Sequence, residues 1–206
     1  LTQAQYQNVI GSNPSTYTGD TRPVESVAWN TVRGGTWPSG DPGDSTFMDL
    51  LRTKAGLTLD LATEAQWEYA CRAGTTRAYN DHIANDGDGS NCLAADSSTD
   101  ANLEPLSWYI ANSFAEKHRE VGTKQANAYG LFDMHGNVWE LCLDWEGLYS
   151  GAVTDPAGVT SGTDRIRRGG SGVNGGASCR SADRHHLAPS SSDYSIGFRL
   201  ALPGAD

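Results

Sequence analysis

Three glycine-bearing segments in the last third of the chain constrain its fold more than any other feature. Met134-His135-Gly136-Asn137-Val138-Trp139-Glu140 comes first, Arg168-Gly169-Gly170-Ser171 follows, and Ile196-Gly197-Phe198-Arg199-Leu200 closes the series. Val138-Trp139-Glu140-Leu141-Cys142-Leu143-Asp144-Trp145 carries the apolar and aromatic bulk of a core. Ile166-Arg167-Arg168 and Phe198-Arg199-Leu200-Ala201 read as strands, and they bracket a loop-like stretch at residues 172–195. Upstream stands Leu61-Ala62-Thr63-Glu64-Ala65-Gln66-Trp67-Glu68-Tyr69-Ala70-Cys71-Arg72. Thr63 and Gln66 have the spacing of a capping box and open a helix, with Ala65, Tyr69 and Trp67 expected to face inward.

In this order and spacing the four segments resemble the formylglycine-generating-enzyme (sulfatase-modifying factor) domain, a variant of the C-type lectin fold. The resemblance runs over about residues 1–203. It implies one α+β domain across residues 1–206, loop-rich, with short helices and small antiparallel sheets. It also implies a chemistry. The family enzyme oxidises a substrate cysteine with two active-site cysteines and a copper ion, and both cysteines lie just after Gly-Gly-Ser. Here that stretch reads Gly172-Val173-Asn174-Gly175-Gly176-Ala177-Ser178, with no thiol, and the first active-site cysteine would fall near Asn174. Copper(I) takes soft thiolate ligands, which an asparagine cannot supply. Cys179, within Ser178-Cys179-Arg180-Ser181-Ala182, matches a structural cysteine of the family. In secreted members the positions matching Cys71 and Cys179 form a disulfide; two buried thiols acting as small hydrophobes are the other reading. The expectation is the fold without the oxidase, with no catalytic residue and no cofactor. A sulfatase-modifying-type oxidoreductase with a metal or thiol site is the alternative.

The stretch from 171 to 195 is also unusual in what it lacks. It contains no Trp, Met, Lys, Gln or Glu, although the rest of the chain holds six, two, three, five and eight of them. Average usage would place about three in such a window. Asparagine codons end in a pyrimidine, so randomising their adenines yields Gly, Val, Ser, Ala, Asp, His, Leu and Tyr, and never those five. Val173, Asn174, Gly175, Ser178, Asp183, His185, His186, Leu187, Asp193 and Tyr194 all belong to the reachable set. The stretch resembles the variable region of diversity-generating-retroelement target proteins, which carry a C-type lectin-like domain. Tyr, Ser, Gly and Asn are also the vocabulary of a paratope. These ten positions are the candidate ligand-binding set, expected on one outward face. The implied function is a non-catalytic, receptor- or adhesin-like protein on a bacterial cell surface or secreted, whose partner is an unknown protein or surface ligand.

Charge narrows the partners. The 206 residues carry a formal net charge of −10, with a pI near 4.8. That excludes the basic footprint of nucleic-acid binding and disfavours anionic membrane. No apolar run has transmembrane length. Leu1-Thr2-Gln3-Ala4-Gln5-Tyr6 resembles the interior of a family motif, so the native N-terminus is expected to lie upstream. The cysteines Cys71, Cys92, Cys142 and Cys179 fit either redox state.

Elsewhere, a helix is expected from Gln3 to Ile10, ended by Gly11-Ser12-Asn13-Pro14. A half-buried strand is expected at 23–29 and a turn-rich insertion at 34–43. A helix capped by Asp44 or Ser45 should place Phe47, Leu50 and Leu51 on one face. Residues 57–61 alternate like a strand. Residues 81–100 read as a solvated acidic loop, whose Asp86, Asp88 and Asn91 fall short of a calcium-loop pattern. His185 and His186, with Asp183, invite a metal, but neighbours on an extended segment point to opposite faces. Asn137 and Glu140 match positions near structural calcium in the family; a Glu140 accepting backbone hydrogen bonds at a turn is the plainer reading. Ser178 and His185 lack a nucleophile elbow. Arg165, Arg167, Arg168 and Arg199 are expected in ion pairs, with carboxylate or sulfate capture as the sharper alternative. Trp29, Trp67, Trp108, Trp139 and Trp145 are expected in the core, and Trp37 either in loop packing or at a binding rim.

Overall fold

The computed structural model describes residues 1–38, 40–80, 99–113, 117–149 and 151–202. Helix α1 spans Gln3–Ile10, as its sequence signals require: Thr2 and Gln5 form a capping box, and Gly11 takes the left-handed C-cap at φ 90°. Helices α2 (Trp29–Val32) and α3 (Phe47–Ala55) follow, then α4 (Glu64–Arg72), opened by the expected Thr63–Gln66 box. Strand β1 (Ser107–Trp108), helix α5 (Ile110–Ser113) and strand β2 (His135–Gly136) come next. The C-terminal third supplies β3 (Trp139–Trp145), β4 (Arg165–Arg168), a 3-10 turn at Gly176–Cys179, β5 (Arg184–Leu187) and β6 (Ile196–Gly197).

The main sheet has the order β5-β4-β3-β6. β3, β4 and β5 run antiparallel, whereas β6 lies parallel to β3, and β1 pairs parallel to β2. Arg167 stands opposite Leu141 on one side and His185 on the other. Alternation then places Trp139, Leu141, Arg167, His185 and Leu187 on one face, and Glu140, Cys142, Arg168, Arg184 and His186 on the other. The first face packs into a core with Val24, Trp29, Phe47, Leu61 and Phe198. The second packs against Trp67 and Cys71 of α4. A sheet covered on both faces explains the nearly unbroken burial of β3.

Several local expectations change for physical reasons. Residues 23–29 form no strand beyond one bridge between Thr2 and Pro23. Ser26 sits at φ 60°, and Glu25 is fully buried, accepting from the Tyr17 amide and the Ser26 hydroxyl, so this segment is wrapped on both sides. The cap of α3 is Thr46; Ser45 is left-handed and its amide instead donates to Asp49. α3 buries Phe47 and Met48, while Leu50 and Leu51 are half-buried. Residues 57–61 contribute only a bridge between Asp60 and Ala201. In α4 the inward positions are Glu64, Trp67 and Cys71, whereas Tyr69 is 69% exposed and meets the tilted ring of Tyr129 across the surface. Trp29, Trp67 and Trp139 are buried, while Trp108 and Trp145 are half-buried. Trp37 packs within its loop, its indole donating to the Ala157 carbonyl. Asp86, Asp88, Asn91 and Cys92 lie outside the described residues.

Candidate functional site

The segment between β4 and β6 leaves the sheet at Gly169 and Gly170, both with positive φ. At Gly170 a β-carbon would come within 2.7 Å of the Cys179 sulfur and 2.8 Å of the Ser178 carbonyl, so the exit turn admits only glycine. The Gly172 amide then donates to the Asn137 carbonyl, and the Ser171 hydroxyl to Asn174 Oδ1. On the return, Asn30 N donates to Pro189 O, Ser26 N to Asp193 O, and Trp139 N to Ser195 O. Both ends of the segment are thus tied to buried elements. Its middle forms β5, the edge strand of the sheet.

None of the ten candidate positions is buried. His185, His186, Asp193 and Tyr194 are exposed; Val173, Asn174, Gly175, Ser178, Asp183 and Leu187 are half-buried. Their side chains do different things. The His185 ring lies 4.9 Å from that of Trp139, and its Nε2 is 3.5 Å from Asp183. His186 turns to the opposite face, to Asp164 at 2.8 Å, so the two imidazoles diverge as their alternation requires. Leu187 packs against the first core. Tyr194 meets Tyr17 edge-on at 5.7 Å and lies 6.3 Å from the buried His118. His118 in turn bonds the same Asn137 carbonyl as Gly172, which links the start of the segment to its end. Asn174 and Asp193 brace their own turns, Asp193 Oδ1 accepting from both the amide and the hydroxyl of Ser195 at 2.6 Å. No hydrogen bond joins Ser178 to His185 among the described residues, so they do not form a nucleophile–base pair.

The arginines divide. Arg168 is buried against Glu64 and Glu68 and donates to the Asp183 carbonyl. Arg199 forms a forked pair with Glu140 at 2.7 and 2.8 Å. Arg165 is packed against the rings of Trp29 and Trp145, 3.7 and 3.3 Å from their centroids, and donates to the Leu143 carbonyl. Burial, together with the charge of Arg33, pulls its pKa down to about 9. Arg167 lies 4.9 Å over Trp139 and pairs with no described carboxylate. Among the described residues the expected ion pairs are therefore found for Arg168 and Arg199 and not for Arg165 or Arg167. The alternation of Arg165 and Arg167 gave both the same face, but how many partners that face offers depends on segments distant in sequence.

Among the described residues, those that the resemblance links to metal chemistry have other partners. The Asn137 side chain is engaged with the Arg119 backbone, and its carbonyl with His118 and Gly172. Glu140 accepts from the Trp67 indole at 2.6 Å as well as from Arg199; its partners are side chains rather than the expected backbone amides. Both residues are thus engaged in hydrogen bonds within the protein. Cys71, Cys142 and Cys179 are free, buried thiols, so Cys71 and Cys179 are not joined. Burial pushes Cys71 and Cys179 up to about 12 and Cys142 well above the ordinary value. Among the described residues no three His, Cys, Asp or Glu side chains converge in a way that could hold a metal ion. Beside Cys71, His135 is also buried; its Nε2 accepts from the Asn80 amide and its Nδ1 meets the Cys179 carbonyl, and burial lowers its pKa to about 4.

Short helices, a small mixed sheet and a long exposed return through the edge strand define an α+β, loop-rich C-type lectin-like fold of the formylglycine-generating-enzyme kind. Residues 1–203 match the family model described as the sulfatase-modifying factor enzyme 1-like domain, and the chain belongs to that family. The mouse (Mus musculus) formylglycine-generating enzyme is 29% identical over 202 residues, covering 86% of this chain and 52% of the enzyme. The Streptomyces coelicolor enzyme is 31% identical, covering 84% of this chain and 60% of the enzyme. The chain thus spans about half to three-fifths of the length of these relatives. Among solved structures, Treponema denticola variable protein 1 superposes with a TM-score of 0.78 at 27% identity, covering 98% of this chain and 82% of that one. PvdO from Pseudomonas aeruginosa gives 0.70 at 25% identity, covering 89% and 62%.

Proposed function

We propose that this protein is a non-catalytic binding protein, anchored by the family scaffold and specified by residues 172–195. The partner is a protein or surface ligand, and the site of action is a bacterial cell surface or the space outside the cell. The observation that carries this reading is the contrast within one segment. Its compositionally unusual positions all reach solvent, whereas the residues that fasten it, Gly170, Ser171, Ser195 and Ile196, are buried. Exposed positions tolerate substitution where a packed core does not. Changes at His185 or Tyr194 therefore alter what the segment recognises and leave the scaffold standing, whereas His186, turned to Asp164, falls outside the single face expected. Similarity to a protein called a variable protein supports the reading, and the net charge of −10 argues against a nucleic-acid partner.

The rival reading is a cysteine-oxidising enzyme like the family's curated members. It needs a thiolate or metal centre, whereas residues 172–178 carry no thiol and the described cysteines are buried. Purified protein supplied with copper and oxygen is expected to leave a cysteine-containing peptide unchanged. Catalytic conversion of that cysteine to an aldehyde, followed by mass spectrometry, would reverse the order of the two readings.

A further inference from the structure

Arg167 is placed on the proposed recognition face yet does none of the work its neighbours do. Arg165 is packed between two tryptophans and bonded to a carbonyl, and Arg168 and Arg199 are held by carboxylates. Among the described residues the Arg167 guanidinium has no ion pair, and its Nε is enclosed without a hydrogen-bond partner. Desolvation lowers its pKa, opposed only by attraction to Asp193. Asp193 attracts it without a hydrogen bond between the two, and its Oδ1 accepts from the amide and hydroxyl of Ser195. An enclosed polar group of this kind is costly to leave unmade, more so when charged.

The surroundings say what would satisfy it. Trp139, 2% exposed, lies against the guanidinium, whose Cζ is 4.9 Å from the ring centroid. His185, directly across the strand from Arg167 and also packed on Trp139, is exposed. A guanidinium offers a planar fork that matches a carboxylate bidentately. An imidazole beside it offers a flat surface for an apolar or aromatic group. The protein's net charge of −10 opposes a multiply charged anion. We infer that Arg167 is the anchor for a ligand carboxylate, with the group next to that carboxylate seated on His185. The inference rests on the reading of this face as a recognition surface, and it adds a residue outside the diversified segment.

The full chain, labelled with nitrogen-15, is titrated with benzoate while the Arg167 Nε–H resonance is followed. Saturable movement is expected with benzoate and none with the neutral isostere benzamide. Arg167→Gln should weaken benzoate at least about tenfold, the loss of a charge-assisted hydrogen-bonded pair. Arg167→Lys, which keeps the charge and the packed stem, should retain part of the affinity and guards against a folding failure in the first variant. A resonance unmoved by benzoate, or moved equally by benzamide, overturns the assignment. Inorganic phosphate binding more tightly than benzoate also overturns it, because the site would then read charge rather than a planar carboxylate. If the benzoate result is negative while exchange of residues 172–195 still redirects binding, the recognition surface stands without this anchor. If benzoate binds but exchange never redirects binding, the carboxylate site remains and the recognition reading falls.

Discussion

Replacing Trp139 by alanine should cost roughly 3–5 kcal/mol, the range for emptying a large aromatic site in a core. Trp139 opens β3 and is 2% exposed. Its amide is fixed to the Ser195 carbonyl, and Arg167 and His185 rest on its ring. The indole is thus scaffold and support at once. For a chain of this length the loss lowers the melting temperature by about ten degrees. A variant melting within a degree or two of the parent would contradict the assignment of Trp139 to the core.

Glu140→Ala should be about as damaging. One carboxylate holds the Trp67 indole at 2.6 Å and both prongs of Arg199 at 2.7 and 2.8 Å. Removing it strands a buried donor and a guanidinium whose other contact is the Phe132 carbonyl. Breaking a buried pair from one side typically costs about 3–5 kcal/mol. Arg199 keeps some access to solvent, which places the expected loss at the lower end. Glu140→Gln keeps an acceptor for Trp67 and should lose less. Urea midpoints of the two variants measure the difference. Equal losses would mean that the charge on Glu140 contributes nothing.

How far the sequence foretold this molecule differs from element to element. α1 and α4 were legible because their signals are local: a glycine stop after α1 and a capping box at Thr63 opening α4. The aromatic run of β3 was legible as core, and β4 as a strand. What failed was non-local. Residues 23–29 look like a strand, but Glu25 is enclosed by Tyr17 and Ser26, so the chain loops instead of pairing. Tyr69 was expected inside, but only a knowledge of what covers α4 shows that Trp67 and Cys71 take the buried stripe. The same limit applied at the site. Composition picked out positions that all reach solvent, but it could not tell that Asn174 and Asp193 brace turns, or that His185 and His186 look opposite ways. Arg167 was lost among four similar arginines, because its isolation is a property of its neighbours.

The central claim, that specificity resides in residues 172–195 while the rest is scaffold, is tested most directly by exchanging that segment. Variants carrying different combinations at Val173, Ser178, His185, His186 and Tyr194, with Asn174 and Asp193 retained for their turns, are melted and screened for binding against one panel of proteins and surface ligands. Exposed substitutions typically shift stability by only about 0.5 kcal/mol each, so the melting temperatures should stay within a few degrees of the parent. Partner preference should follow the segment from variant to variant. A panel in which every variant keeps the parent's partner, or loses binding only when it unfolds, would contradict the account.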